Sequence, residues 1–486
     1  MLSKKWGYIL TLLLLSFIFL WIRTPSLFSH SVAYTYDQGR DFLKTAEMIE
    51  SKKPTFIGPT TGINGLNHGP WWYYVLVIPY LLTGGHTIGF YWFNFILHLL
   101  SLFILIYLFS RWNTILALLI GAIVVFAPYF IGASLFVGNN IMVLPTLLLF
   151  LYCVSLLFER KKGKLALYFM TGLLLGLVSE FELSFGFFII PVFAISFAIF
   201  KELKLHIQKG KSAILMFAGF FIAFVPRILF ELKNGFIQTK VLFSFILEPK
   251  LHNPKAFIDV FVDRLTLFYG YWSSIFPHTI WMVVFSVLLI AGFVSLFVKK
   301  KKLNSYLSFM VYFVVGLFTI SLVYKDNFWG NYYEGIQYAM VIILGLSLIH
   351  LWMSHFFRKV LIVILCVFVS INTAQLFLRE LQSNLDGLAK HEVIVSSIIS
   401  KTENRPFCLR IYTPPIHPYT YSYLLKQKGI NPSSEWVNGT CWFIVEADSF
   451  AKRRQDWLDT HMPKDKHTKK VIHVKDVEIQ YYEVQQ

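Results

Sequence analysis

Eleven long apolar runs set the limits on what this chain can become. They lie at 6–22, 88–109, 114–131, 139–158, 165–180, 184–200, 212–230, 276–298, 305–324, 335–352 and 360–378. A backbone in lipid must satisfy its own polar groups, so runs of this length cross a bilayer as helices. Composition agrees: 56% of residues are hydrophobic and 15% charged, against about 45–50% and about 25% in an ordinary soluble domain. A disordered chain, a fibrous repeat and a soluble cytosolic enzyme are excluded. Four cysteines in 486 residues exclude a disulfide-rich secreted scaffold.

The basic residues give the orientation. Net charge is +17, but the cations lie between apolar runs, so nucleic acid is not the expected partner. One set of loops carries Arg111, then Arg160, Lys161, Lys162 and Lys164, then Lys201, Lys204, Lys209 and Lys211, then Lys299 to Lys302, then Arg358 and Lys359. The alternate loops at 131–139, 180–184 and 325–334 carry only Lys325. Basic loops belong on the cytoplasmic side. This pattern holds only if a further apolar stretch, 70–84, does not cross. With Pro79 inside it and aromatics at its start, it reads as an interfacial or re-entrant helix. Lys4 and Lys5 precede the first run, and Trp21, Ile22 and Arg23 follow it in place of a small-residue cleavage site, which reads as an uncleaved span. The expected protein is mainly α and polytopic, in the plasma (inner) membrane. Its N-terminus is cytoplasmic and its C-terminal domain extracytoplasmic. The expected division is a membrane domain at 1–378, with a first outer loop at 23–87, and a small α/β domain at 379–486.

In the tail, FCLRIYTP, CWFIVEAD and VIHVKDVEIQYYEV alternate as strands do, and 379–400 reads as a helix leaving the membrane. Cys408 and Cys441 both fall in expected strands; a bridge and two buried thiols stay open, because sequence does not supply the Cα separation. Cys153 and Cys366 lie inside spans and read as packing residues. Asn438-Gly439-Thr440 matches a glycosylation acceptor pattern that is common by chance.

Residues able to carry chemistry gather at the outer boundary. A helix over 36–50 places Asp37, Arg40, Asp41 and Lys44 on one face, with Phe42, Thr45 and Ile49 on another suited to the membrane surface. On spacing alone this is equally a solvated helix with surface ion pairs. A glycine-rich stretch at 56–69 ends in Asn67-His68-Gly69 before the interfacial helix. Arg227, after Pro226, suits either a lipid phosphate or snorkelling. Glu180 and Glu182 form an outer turn suited to a sugar or a metal, or to no ligand. Asn331, Tyr332, Tyr333 and Glu334 open the tenth span. No nucleotide-binding loop, zinc-protease motif or paired CxxC is present, so energy for a reaction must arrive with the substrate.

Taken in order, YDQGRD at 36–41, FIGPTTGINGLNHGPWWYYVLVIPYLLTGG at 56–85 and GLVSEFELSFGFFIIP at 176–191 resemble the GT-C membrane glycosyltransferases. The nearest branch is the bacterial protein O-mannosyltransferase and lipid A aminoarabinose transferase group. FELKNGF at 230–236, WGNYYEG at 329–335 and IYTPPIHPYTYSYLLKQKG at 411–429 extend the resemblance over most of the chain. It implies transfer of a sugar from a polyprenyl-phosphate donor to a hydroxyl of a lipid, glycan or protein acceptor on the outer face. Asp37 takes the place of the family's essential acidic residue, as catalytic base or metal ligand, with Asp41 beside it. Arg40, with His68 nearby, is the implied contact to the lipid phosphate; from their place at the outer boundary, Arg227 is a further candidate for that phosphate and Glu180, Glu182, Tyr332 and Tyr333 are candidates for sugar or acceptor contacts. Two departures stand out. Gln38 replaces a second carboxylate, and a histidine stands near the place of a lysine, with Gly69 intervening. A divalent metal at Asp37 is left open.

Two other classes share these features. A lipid-glycan carrier, flippase or polymerase also has many spans, but carriers place polar or broken helices near the midplane. An assembly or sensor protein would need fewer spans than eleven.

Overall fold

The computed structural model describes residues 2–159, 164–208, 210–247, 253–298, 304–378, 385–402, 405–414, 416–462 and 468–483. The cations at 160–162, 209 and 299–302 and the first part of the expected exit helix, 379–384, lie outside the described residues. The chain divides into two compact units. One comprises Met1–Thr24, Pro54–Val75 and Phe93–Glu380; the other comprises Pro25–Lys53, Leu76–Trp92 and Leu381–Gln486. The second unit therefore takes in two pieces of the first outer loop as well as the tail, a division drawn differently from one at 378.

Every expected run is helical. In the first unit these include Val143–Glu159, Leu165–Phe181, Leu183–Ile199, Gly210–Lys233, Thr279–Val298, Ser305–Ser321, Ile336–Trp352 and His355–Leu378. Leu2–Phe28 and Thr87–Ser110 begin or end in the second unit. Among the described residues, five helices are long and apolar enough to cross a membrane alone, or up to seven if each of two bent pairs is one span. Broad apolar surfaces face outward, with Ile214, Phe217 and Phe221 on one helix and Ile280, Val283 and Val287 on another. A water-soluble protein does not expose such surfaces; this is a multi-pass membrane protein.

Two devices hold the helices of this unit. Leu165–Phe181 and Gly210–Lys233 touch backbone to backbone, since a Cβ at Gly172 would overlap the Met216 carbonyl and one at Gly219 the Phe169 carbonyl. Small residues at helix contacts are the usual means of close packing in lipid. Thr114–Phe126 and Pro128–Ser134 meet at a bend of 66°, where Pro128 supplies no amide to continue the ladder. Carbonyls near the bend are capped from neighbouring helices. Asn94 Nδ2 donates to the Ala133, Ser134 and Phe136 carbonyls. Arg23, fully buried, donates to the Val125 carbonyl and Ser134 Oγ. The stretch expected at 70–84 forms Trp71–Thr83, 13 residues or about 20 Å, shorter than a hydrocarbon core.

The second unit is built on a four-stranded sheet of order β1-β2-β4-β3. The strands are β1 Leu409–Tyr412, β2 Thr440–Glu446, β3 Thr468–Val474 and β4 Val477–Glu483. β1 and β2 are parallel; the other pairings are antiparallel. The three alternating strings of the tail all fall on these strands. Phe443, Val445, Tyr412, Tyr482 and Trp457 form the core on one face. The parallel register pairs Leu409 with Trp442, which brings Cys408 beside Cys441, and the two are joined as a disulfide with Cα atoms 4.6 Å apart.

Helix Tyr36–Ser51 docks on helix Tyr419–Gln427 of the tail. Its Gly39 permits the approach, because a Cβ there would press on the backbone of Tyr419 and Thr420. Tyr34 donates to the Thr420 carbonyl, and Lys426 pairs with Glu50. The apolar face expected at the membrane surface is instead packed within the protein. Phe42 and Thr45 are fully buried, and the Phe42 ring stacks on Phe90 at 4.0 Å and meets Tyr423 edge-on.

Candidate active site

The candidate residues form two groups, one in each unit. In the second unit, Thr35 opens the helix with a capping box: its side chain accepts from the backbone of Gln38, whose Oε1 accepts from the Thr35 amide at 2.7 Å. Gln38 is thus a buried cap. The cap orients the first turn. Asp37 points out and is 59% exposed. Arg40 Nη1 reaches Asp37 Oδ1 at 2.8 Å, and Nη2 reaches Asp41 Oδ1 at 2.8 Å. Asp41 is buried, so the guanidinium is anchored from inside and offered beside an exposed carboxylate.

Two residues that sequence reasoning gave no role join this group. His417 and Tyr419 stack with each other and with Tyr36, at centroid separations of 5.5, 6.1 and 5.6 Å. Arg40 lies 5.5 Å from the Tyr36 ring centre. The signal was the string at 411–429, which carried the resemblance without a named function. Among the described residues no three His, Cys, Asp or Glu side chains are grouped to hold a metal ion. Arg40 lies between Asp37 and Asp41 and pairs with both.

In the first unit, the glycine-rich stretch folds back on itself. The Gly58 amide donates to the His68 carbonyl and the His68 amide to the Pro59 carbonyl, and a Cβ at Gly58 would overlap the Gly69 carbonyl. The returning strand delivers His68 and Gly69 to Glu180. The Gly69 amide donates to the Glu180 carbonyl at 2.7 Å, and a Cβ at Gly69 would collide with the Glu180 carboxylate. His68 Nδ1 accepts from the Leu183 amide at 3.3 Å, so the ring proton is on Nε2 when the imidazole is neutral. Arg227 Nε donates to Glu180 Oε1 at 2.8 Å, and its Nη1 reaches the Asn67 carbonyl and Gln238 Oε1. Arg227 is paired inward, not snorkelling. Among the described residues, Glu180 Oε2 and Arg227 Nη2 have no partner. Glu231 accepts from the Gln238 and Thr239 amides and so holds Gln238 in place; its signal was the string at 230–236, which carried the resemblance without a named role.

Glu182 lies between two helices and is 3% exposed. Burial, with Glu334 adding repulsion, pushes its carboxyl up to about 8. Glu334 is also raised by burial, while it accepts from Tyr129 and Asn140. Tyr332, half-exposed, is pushed up to about 12 by burial, with Tyr324, Glu182 and Asp326 contributing. Tyr333 is fully buried and donates to the Leu317 carbonyl; its hydroxyl faces into the helices. Glu182, Tyr332 and Glu334 are thus electrostatic neighbours, and the Glu180–Arg227 ion pair is joined to the segment 67–69 through the Asn67 carbonyl and the Gly69 amide.

No protein-family model matches the sequence, and no curated protein matches it significantly. Solved structures do. The chain is similar to ArnT from Cupriavidus metallidurans bound to undecaprenyl phosphate, at 14% identity over 97% of each chain and a TM-score of 0.58. It is similar to the apo state of the same protein, at 13% identity over 99% of this chain and 98% of that one, TM-score 0.56. It is also similar to the archaeal oligosaccharyltransferase AglB from Archaeoglobus fulgidus, in complex with an inhibitory peptide and a dolichol-phosphate. There identity is 12%, coverage is 87% of this chain and 64% of that one, and the TM-score is 0.54. The chain has the GT-C fold of these proteins, as the resemblance in its sequence implied.

Proposed function

We propose that this protein moves a sugar from a polyprenyl-phosphate donor to an acceptor hydroxyl on the outer face of the plasma (inner) membrane, with inversion. The observation that carries this reading is the fold shared along 97% of both chains with a protein bound to undecaprenyl phosphate. The proposed topology is eleven crossings, with the N-terminus cytoplasmic and the tail extracytoplasmic.

The chemistry needs a base, a cation and a dry place for charge. An acceptor hydroxyl loses a proton as it attacks the anomeric carbon, and the exposed carboxylate of Asp37 is the proposed base. The leaving group is a lipid phosphate, for which a guanidinium is the suitable fork-shaped partner. Arg40, His68 and Arg227 are the proposed contacts. Arg227 offers the anion the two N–H bonds of Nη2, with its charge offset by Glu180. Asp41 positions Arg40. Glu180, Glu182 and Tyr332 are proposed on the sugar or acceptor side; Tyr333 would have to turn to join them.

The test uses purified protein in detergent, a panel of polyprenyl-phosphate sugars and membrane extract, with release of free polyprenyl phosphate as the readout. Release by the native chain is expected to fall by about 10²–10⁴-fold in Asp37→Asn, the usual effect of losing a general base. Unchanged release in that variant would remove Asp37 from the centre of the reaction.

A further inference from the structure

In the first unit, a cavity of about 380 Å³ is lined by Lys255, Asp263, Arg264, Asn327, Phe328 and Trp329. Its volume is within the ~300–1,000 Å³ of small-molecule sites. The floor is fixed. Arg264 is buried, donates to the Ser321, Tyr324 and Asp326 carbonyls, and lies 4.4 Å over the Phe328 ring. Its guanidinium therefore caps the end of helix Ser305–Ser321 and the turn that follows. The two walls are tied together. Asp326 accepts from the Asn253 and Asn327 amides, and the Lys255 amide donates to the Lys325 carbonyl. The rim carries the Lys255–Asp263 ion pair and Trp329, a residue 62% exposed.

This lining selects by elimination. A phosphate would meet the Asp263 carboxylate and find Arg264 Nε and Nη2 already bonded to carbonyls. An apolar guest would bury the ion pair with nothing to satisfy its remaining hydrogen bonds. A neutral polyhydroxylated ring suits the polar rim and the indole together. Its hydroxyls donate to Asp263 and Asn327 and accept from Lys255, and its C–H face lies on the indole. We propose that this cavity is a carbohydrate-binding subsite that receives a neutral sugar ring of the acceptor. The word acceptor rests on the transferase reading; the sugar site does not.

The binding arm uses saturation-transfer NMR on the full chain in detergent, with methyl glycosides of glucose, galactose, mannose and N-acetylglucosamine as probes. Dihexanoyl phosphatidylglycerol serves as the headgroup probe. Saturation transfer to at least one glycoside is expected, with Kd raised at least tenfold by Trp329→Ala and restored by Trp329→Phe. Absence of glycoside binding, or binding indifferent to Trp329→Ala, overturns the site. So does phosphatidylglycerol binding that is lost in Lys255→Ala and excludes the glycosides. The transfer arm measures acceptor KM and kcat. A KM increase in Trp329→Ala that exceeds any fall in kcat supports the acceptor assignment, and an unmoved KM overturns it. Glycoside binding by a chain that transfers no sugar would keep the sugar site, remove the acceptor assignment and count against the transferase reading alone.

Discussion

A buried guanidinium beside a buried carboxylate is costly to halve. Glu180 is fully buried and the Arg227 side chain is 14% exposed. Removing one partner of such a pair leaves an uncompensated charge, at a cost of about 3–5 kcal/mol. Arg227→Met is therefore expected to lower the thermal unfolding midpoint in detergent, and adding Glu180→Gln to recover most of the loss. Failure of the second change to help would mean that the pair is not the source of the cost. Glu182 makes a pH prediction. Its folded value is raised to about 8, so the native state binds the proton more tightly than the unfolded chain does. Its contribution to stability is complete below the unfolded value of about 4.3 and is lost as pH rises through the folded value. Melting scans at pH 5 and pH 9 should show the native chain losing more stability than Glu182→Gln. The sequence marked both residues as boundary charges. It gave no sign that Glu180 would meet a residue 47 positions away, because pairing across helices leaves no local spacing.

Helix Tyr36–Ser51 was legible from its spacing, and so was the placement of Asp37, Arg40 and Asp41 on one side. Its environment was not. A face with Phe42 and Thr45 reads the same whether lipid or protein covers it, and here Phe90 and Tyr423 do. Gly39 reports the difference. Glycine to alanine inside a helix ordinarily stabilises by about 0.5–1 kcal/mol. Here the new Cβ would press on backbone atoms of helix Tyr419–Gln427, and overpacking costs about 1–3 kcal/mol. Gly39→Ala is expected to be net destabilising by roughly 1 kcal/mol or more, read as a lower melting midpoint. A rise would show that the two helices are not in backbone contact.

At the scale of the molecule, the eleven apolar runs and the strands of the tail could be read in advance, because periodicity and apolar length are local properties. The grouping of 25–53 and 76–92 with the tail could not, since it depends on contacts between distant segments. Orientation is open to a direct test. In a Cys153→Ser, Cys366→Ser background, a membrane-impermeant maleimide on intact cells is expected to label Lys452→Cys, and Lys164→Cys only after lysis. The reverse pattern would invert the topology. The bridge between Cys408 and Cys441, separated by 33 residues, should stabilise the tail by about 3–4 kcal/mol on a loop-entropy estimate. Reduction should lower the unfolding midpoint of the tail, and mass spectrometry of the alkylated native chain should find only Cys153 and Cys366 modified. The same bridge sets a schedule for biosynthesis. Both its cysteines follow the last apolar run, so the ribosome delivers them after every helix of the membrane part has been made. Sealing the tail is a late step of maturation, and on the proposed topology a cell short of oxidant would accumulate inserted molecules whose tail is still open.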